Sequence, residues 1–121
     1  MPNGNMAALI QAINDAEGNP DETTINLGGG TYTLTAIDNS TIGDAGLPII
    51  TTDVIINGNN SRIHRSDAPG TPEFRILIFD GDTTTLTIND LTISNGIANS
   101  SGAGGLANHG NGTVNIHNSR G

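Results

Sequence analysis

A repeat at an offset of 28 residues is the feature that most constrains this 121-residue chain. Between Phe74 and Asn95, apolar residues alternate at period two in three short runs, Arg75–Phe79, Thr85–Ile88 and Leu91–Ile93. This alternation predicts short strands with one buried face. A shift of 28 residues matches Ile78 with Leu106, Thr85 with Thr113, Leu86 with Val114, Ile88 with Ile116 and Asp90 with Asn118. A repeat without an intervening helix predicts a solenoid of stacked β coils.

The composition agrees with a narrow core. Only 34% of the residues are apolar and 2% are aromatic, which is too little for a broad core but enough for the lumen of a solenoid. The length predicts a single domain, 1–121. At 28 residues per coil, the segment 24–121 would form three to four coils.

Charge and cysteine content exclude several classes of function. The net charge is −8, with four Arg and no Lys, so we expect no nucleic-acid partner. No apolar run is long enough to span a membrane, and no secretory signal is visible. The absence of Cys excludes disulfides and thiolate chemistry.

One amphipathic helix is predicted at residues 6–16, with 1–18 as an N-terminal cap. Met6, Leu9, Ile10 and Ile13 form one apolar face. Asn3 or Asn5 can cap the helix, and Gly18 ends it. A helix before all the strands is expected to cover the open end of the first coil.

The next strands are predicted at 24–27 and 31–35, around a triple-glycine turn. The expected inward residues are Ile25, Leu27, Tyr32, Leu34, Leu47, Ile49, Val54, Ile56 and Ile63. Residues 36–48 and 66–72 are expected to be surface loops, and Asn57-Gly58-Asn59-Asn60 is expected to make a sharp corner.

The order of these landmarks resembles the N-terminal part of bacterial secreted or surface right-handed parallel β-helix proteins with a pectate-lyase-like fold. Their domain opens with a Leu-Arg-Glu-Ala-Ile motif, and this chain has Leu-Ile-Gln-Ala-Ile at 9–13. Similar landmarks follow at 30–35 (GTYTLT), 46–50 (GLPII), 54–58 (VIING), 74–76 (FRI), 91–96 (LTISNG) and 104–108 (GGLAN). The resemblance implies an all-β, right-handed parallel β-helix in an extracellular or cell-surface setting. It implies no particular reaction.

The strongest candidate site is the turn that contains Asp80 and Asp82. Related β-helix polysaccharide lyases bind Ca²⁺ through clustered Asp residues, and Asp80-Gly81-Asp82 can offer two carboxylates from one turn. The alternative is that Asp and Gly simply form a solvated corner. Asp90 and Arg75 are further candidates, but Asp90 matches Asn118 in the repeat, which favours a polar corner.

Other polar residues offer weaker candidates. Arg62, His64 and Arg65 lie close together on one predicted strand and could bind an acidic sugar, or cover a solvated face. His109 and His117 lack ligand partners at metal-site spacing and are expected at the surface. No Ser-His-Asp order is recognisable. Asn57, Asn60, Asn108 and Asn118 are expected to be corner or ladder residues that hydrogen-bond between coils.

Two functions remain open. The first is a non-catalytic structural or adhesive extracellular module that self-associates or stacks end to end through an open last coil. The second is a carbohydrate-active, polysaccharide lyase-like enzyme, or a fragment of one, acting on a polysaccharide with Ca²⁺ at Asp80 and Asp82. No catalytic constellation is visible, so the sequence favours a protein that is not an enzyme and has no cofactor.

Overall fold

The computed structural model describes residues 4–97 and 104–119. These residues form a mostly β structure with one short helix, as expected from the sequence. The elements are α1 (Met6–Glu17), β1 (Thr23–Asn26), β2 (Thr31–Leu34), β3 (Val54–Arg65), β4 (Leu77–Phe79), β5 (Thr85–Ser94), β6 (Leu106–Asn108) and β7 (Thr113–His117).

The strands form two parallel sheets. The larger sheet has the order β1-β3-β5-β7, and β2 also pairs with β3. The smaller sheet pairs β4 with β6. Every pairing between these strands is parallel, so the chain leaves each strand and returns in the same direction to form its neighbour.

The predicted repeat is confirmed for the larger sheet and is off by one residue for the smaller one. Thr85, Leu86 and Ile88 pair with their expected partners in β7. Ile78 pairs with Ala107 instead of Leu106. The length of the repeat also varies. The residues that form side-chain hydrogen bonds between neighbouring strands are 31 apart in the sequence for Asn26 and Asn57, and 32 apart for Asn57 and Asn89. Turns of different length between the strands account for this variation.

The core contains rows of aliphatic residues from successive strands. Ile25 pairs with Ile56, and Ile56 pairs with Ile88, and all three side chains are buried. Tyr32 is buried among them, and its hydroxyl oxygen accepts a hydrogen bond from the Gly28 amide at 2.9 Å. The row continues to Ile116 in β7, but this side chain is 53% exposed. Within residues 4–97 and 104–119, the row is therefore buried on the β1 side, and its last member, Ile116, is exposed.

The helix closes the β1 side. The Asn5 side chain accepts a hydrogen bond from the Ala8 amide at 3.0 Å, which confirms the N-cap, whereas Asn3 lies outside the described residues. The face of α1 that includes Leu9 and Ile13 is buried, and α1 contacts β1 and β2. The Glu17 carboxylate accepts hydrogen bonds from the amides and hydroxyls of Thr51 and Thr52, which ties the helix to the chain before β3.

Three predictions about burial are wrong. The segment 36–48 is not a surface loop throughout, because residues 45–48 are buried and Ala45 pairs in parallel with Arg75. The run 75–79 does not have one buried face, because residues 76–79 are all fully buried. In addition, Ile50 is fully buried while Ile49 is only half-buried, since Ile50 pairs with Phe79.

The predicted corner after Asn57 is confirmed. Asn59 and Asn60 adopt positive φ angles of 51° and 62°, and the register between β3 and β5 shifts there. The matching bend in β5 lies at Asp90, with φ 52°. Asn and Asp tolerate this left-handed conformation better than other non-glycine residues. Gly58 lies where the two bends stack, and a Cβ atom there would collide with the carbonyl oxygen of Asp90.

Gly58→Ala should therefore destabilise the sheet. We expect a loss of about 1–3 kcal/mol in the free energy of unfolding, because the new methyl group meets backbone that cannot move aside. Gly18→Ala is the matched control, since a Cβ there would lie at an ordinary 3.6 Å from the Asp15 carbonyl oxygen. Urea unfolding followed by circular dichroism measures both variants, and equal stability of the two would contradict the stacked corner.

Candidate functional site

The structure places the predicted calcium residues in a turn that is packed on a second turn. Asp80 follows β4, and its Oδ1 lies 3.0 Å from Nδ1 of His109. The Asp82 carboxylate accepts a hydrogen bond from the Asn111 amide at 3.4 Å. The Gly81 carbonyl accepts from the Gly112 amide at 2.6 Å. The two carboxylates thus contact the segment between β6 and β7.

This arrangement offers few ligands for a cation. Ca²⁺ takes six to eight oxygen ligands. Within residues 4–97 and 104–119, no group of three or more His, Asp and Glu side chains converges. Asp90 lies apart from the Asp80–Asp82 turn, at the exposed bend of β5. Calcium binding at Asp80 and Asp82 therefore remains one of two alternatives for this turn, beside a corner held by its own contacts.

A ladder of asparagines connects the strands of the larger sheet. The Asn57 amide group donates to Asn26 Oδ1 at 2.9 Å, and the Asn89 amide group donates to Asn57 Oδ1 at 3.0 Å. The next position in this register is His117. The ladder prediction is confirmed for Asn57, and sequence reasoning missed Asn26 and Asn89.

The other predicted asparagines lie at corners. Asn60 and Asn118 both have positive φ angles, of 62° and 49°. Asn108 donates its side-chain amide to the Gly112 carbonyl at 3.2 Å, so it holds a local turn. Asn60 and Asn118 thus provide left-handed backbone at bends, and Asn108 holds its turn through its side-chain amide.

The three basic residues of the third strand divide between two faces. Arg62 is exposed on the outer face, and His64 is half-buried on the same face. Arg65 is only 9% exposed, and its guanidinium lies 5.9 Å from the centre of the Phe74 ring. It also donates to the Asn95 carbonyl at 2.9 Å and to the Pro72 carbonyl at 3.2 Å. Arg65 is therefore a packing residue and does not belong to the outer surface.

Sequence reasoning missed a Ser-His-Asp cluster on that outer face. Ser94 Oγ lies 2.8 Å from Nδ1 of His64, and Nε2 of His64 lies 3.2 Å from Oδ2 of Asp67. The other carboxylate oxygen of Asp67 accepts from the Asn95 side-chain amide at 2.7 Å. No local sequence pattern indicates this cluster, because His64 and Ser94 come together only through the pairing of β3 with β5.

The directions of the hydrogen bonds in this cluster depend on the tautomer of His64. When Nε2–H of neutral His64 is donated to Asp67, Nδ1 can accept the Ser94 hydroxyl, as a general base would. However, the Asp67 side chain is 77% exposed, so water competes for its carboxylate. The cluster joins β3, β5 and the loop that contains Asp67.

An apolar cavity lies elsewhere, beside the helix. It has a volume of about 200 Å³ and its lining includes Met6, Ile10, Leu34 and Ile37. Neither Asp80 nor Asp82 lines this cavity. The cavity is therefore a gap between α1 and the chain after β2, and it brings no titratable pair together.

The outer edge of β7 is the remaining feature, and we call Thr113–His117 the open edge. On its inner side β7 pairs with β5, and no strand of residues 4–97 or 104–119 pairs with its other side. The open edge carries no Asp, Glu, Lys, Arg or Pro. All 12 acidic residues of the chain lie between Asp15 and Asp90, so the open edge is free of carboxylates although the chain carries a net charge of −8.

A calcium titration tests the prediction for Asp80 and Asp82. Because the turn offers two carboxylates that already have partners, we expect millimolar Ca²⁺ to leave the thermal unfolding midpoint unchanged. The measurement is differential scanning fluorimetry with Ca²⁺ and with Mg²⁺ as the control ion. A rise that is specific to Ca²⁺, and that Asp82→Asn removes, would establish the site.

Comparisons with protein-family models, with curated proteins and with solved structures find no match to this chain. No helix in the described part of the chain is long and apolar enough to cross a membrane.

Proposed function

We propose that this chain is a right-handed parallel β-helix of three to four coils, capped by α1, that acts as a non-catalytic structural or adhesive module and self-associates through the open edge. We place it in an extracellular or cell-surface setting, because of the sequence resemblance to secreted and surface β-helix proteins. The proposal excludes nucleic acid as a partner, since the chain has four Arg, no Lys and a net charge of −8.

Register and burial support the β-helix. Equivalent residues from successive passes of the chain lie side by side, as in Ile25, Ile56 and Ile88. The smaller sheet repeats the pattern with Phe79 beside Asn108, and Ile50 pairs with Phe79 on its other side. Two rows of parallel neighbours separated by corners are the arrangement that stacked coils produce.

The open edge is the observation that carries the functional proposal. An unpaired strand presents free amide and carbonyl groups, and proteins usually protect such edges with charges, prolines or covering segments. The residues of the open edge include none of these charges or prolines. Ile116 is 53% exposed at this edge, next to the buried Ile88. Such an edge favours pairing with another strand.

The contacts of the candidate catalytic residues favour a scaffold over an enzyme. Asp80 and Asp82 contact His109 and the Asn111 amide from the neighbouring turn. The His64–Ser94 pair bridges two strands at 2.8 Å. These groups connect successive passes of the chain, which is a structural role that needs no substrate.

Ile116→Lys should abolish self-association. A lysine ammonium in the open edge resists burial against another chain and is a common protection of natural edges. Ile37→Lys is the matched control, because Ile37 is also an exposed isoleucine, at 36%, but lies after β2. Light scattering over a concentration series should give a mass above one chain for the parent and for Ile37→Lys, and one chain for Ile116→Lys. A parent that stays monomeric throughout would overturn the proposal.

Incubation with polyuronates tests the absence of catalysis. We expect no unsaturated products from pectin or polygalacturonate with Ca²⁺, measured by ultraviolet absorbance of the new double bond. Turnover that is lost in both Asp80→Ala and Asp82→Ala would instead establish a lyase.

A further inference from the structure

The hydrogen-bonding groups of the open edge can be assigned from one contact. The Thr113 amide donates to the Thr84 carbonyl at 3.1 Å, on the β5 side. In a parallel ladder, alternate residues direct their amide and carbonyl groups to the same neighbour. Thr113, Asn115 and His117 therefore bond towards β5, while Val114 and Ile116 direct their backbone groups away from it.

The other end of the sheet offers no equivalent edge. Helix α1 contacts β1 and β2, and its buried residues Leu9 and Ile13 pack against the core there. A second copy that docked its open edge at that end would meet a helix, which has no free backbone groups along its side. Within the larger sheet, as residues 4–97 and 104–119 form it, the open edge of one copy finds a matching strand edge on the open edge of another.

The geometry points to a two-fold dimer in which β7 of one copy pairs antiparallel with β7 of a second copy, centred on Asn115. This inference rests on the proposed self-association and specifies its partner and symmetry. A two-fold axis perpendicular to the sheet reverses the strand direction, so a parallel sheet gains one antiparallel pair at its middle. Such an interface uses the same surface on both copies and ends growth at two chains.

The register centred on Asn115 satisfies the free groups of the edge. It places Val114 opposite Ile116 of the second copy, and Ile116 opposite Val114 of the second copy. Because both residues direct their backbone groups outward, each of these two positions becomes a hydrogen-bonded antiparallel pair with two hydrogen bonds. The apolar side chains of Val114 and Ile116 then lie on one face and cover each other.

The charge distribution favours the same arrangement. Residues 104–119 contain no Asp or Glu, whereas α1 and the segment after it contain Asp15, Glu17, Asp21 and Glu22. Contact between two open edges keeps Asp15, Glu17, Asp21 and Glu22 of the two chains at opposite ends of the dimer, whereas Asp80 and Asp82 lie nearer to β7. Repulsion between the chains is then weakened by distance and by salt.

A single engineered cysteine tests the register, because the natural chain contains none. Asn115 of one copy would lie opposite Asn115 of the second copy, on the two-fold axis, as a non-hydrogen-bonded pair. The Cα–Cα distance in such a pair is about 4.5 Å. This distance lies within the range that a disulfide spans. Asn115→Cys should therefore form a disulfide-linked dimer in most chains under mild oxidation, as seen on a non-reducing gel.

Thr87→Cys is the matched control. Thr87 pairs with Asn115 in the parallel register and lies one strand inside the sheet. Across the proposed axis, two Thr87 residues would be three strand spacings apart, about 14 Å, which a disulfide cannot bridge. This variant should remain largely unlinked at the same protein concentration.

The outcomes separate this inference from the proposed function. The parent chain should have the mass of two chains by light scattering, and Asn115→Cys should be linked far more than Thr87→Cys. A mass that rises beyond two chains with increasing protein concentration would overturn the two-fold dimer but not self-association. The same holds if Asn115→Cys associates without forming the disulfide. A strictly monomeric parent would overturn both.

Discussion

The parallel pairing of β3 with its neighbours on both sides is the constraint on which the rest of the structure depends. β3 pairs with β1 and β2 on one side and with β5 on the other, so it lies at the centre of the larger sheet. In-register parallel pairing places residues of the same type side by side on neighbouring strands. It produces the row of isoleucines on the buried face of the sheet and the ladder of Asn26, Asn57 and Asn89 on the outer face. The apolar row supplies burial, while each ladder hydrogen bond contributes about 1 kcal/mol and fixes the register.

The corner at Asn57–Ser61 shows how the sheet accommodates passes of unequal length. The register shifts there because three residues of β3, 58–60, lie opposite the single residue Asp90 of β5, and Asn59 and Asn60 adopt left-handed conformations. Gly58 makes room for the carbonyl of Asp90, so one glycine allows the bends of β3 and β5 to stack. A corner of this kind depends on backbone conformation more than on burial, and it turns the chain without breaking the ladder.

Much of this fold was predictable because the burial pattern is local. Alternation at period two located the inward residues from Ile25 to Ile63 apart from Ile49, and the repeat predicted the β5–β7 register. The remainder depends on contacts that the local pattern does not contain. Ala45 to Pro48 are buried because Ala45 pairs with Arg75, and His64 meets Ser94 and Asp67 only after β3 and β5 are paired. A one-residue difference in turn length moved the partner of Ile78 from Leu106 to Ala107.

The two ends of the larger sheet differ in how they are stabilised. At the β1 end, a buried helix face and the Glu17 carboxylate hold the cap in place through Thr51 and Thr52. At the other end, among residues 4–97 and 104–119, β7 pairs with β5 alone and carries the exposed Ile116, so it has fewer contacts to resist local opening. A partner that binds only the ordered strand stabilises it by mass action. The proposed association at this edge would therefore be coupled to the order of β7, because Ile116 contributes to both.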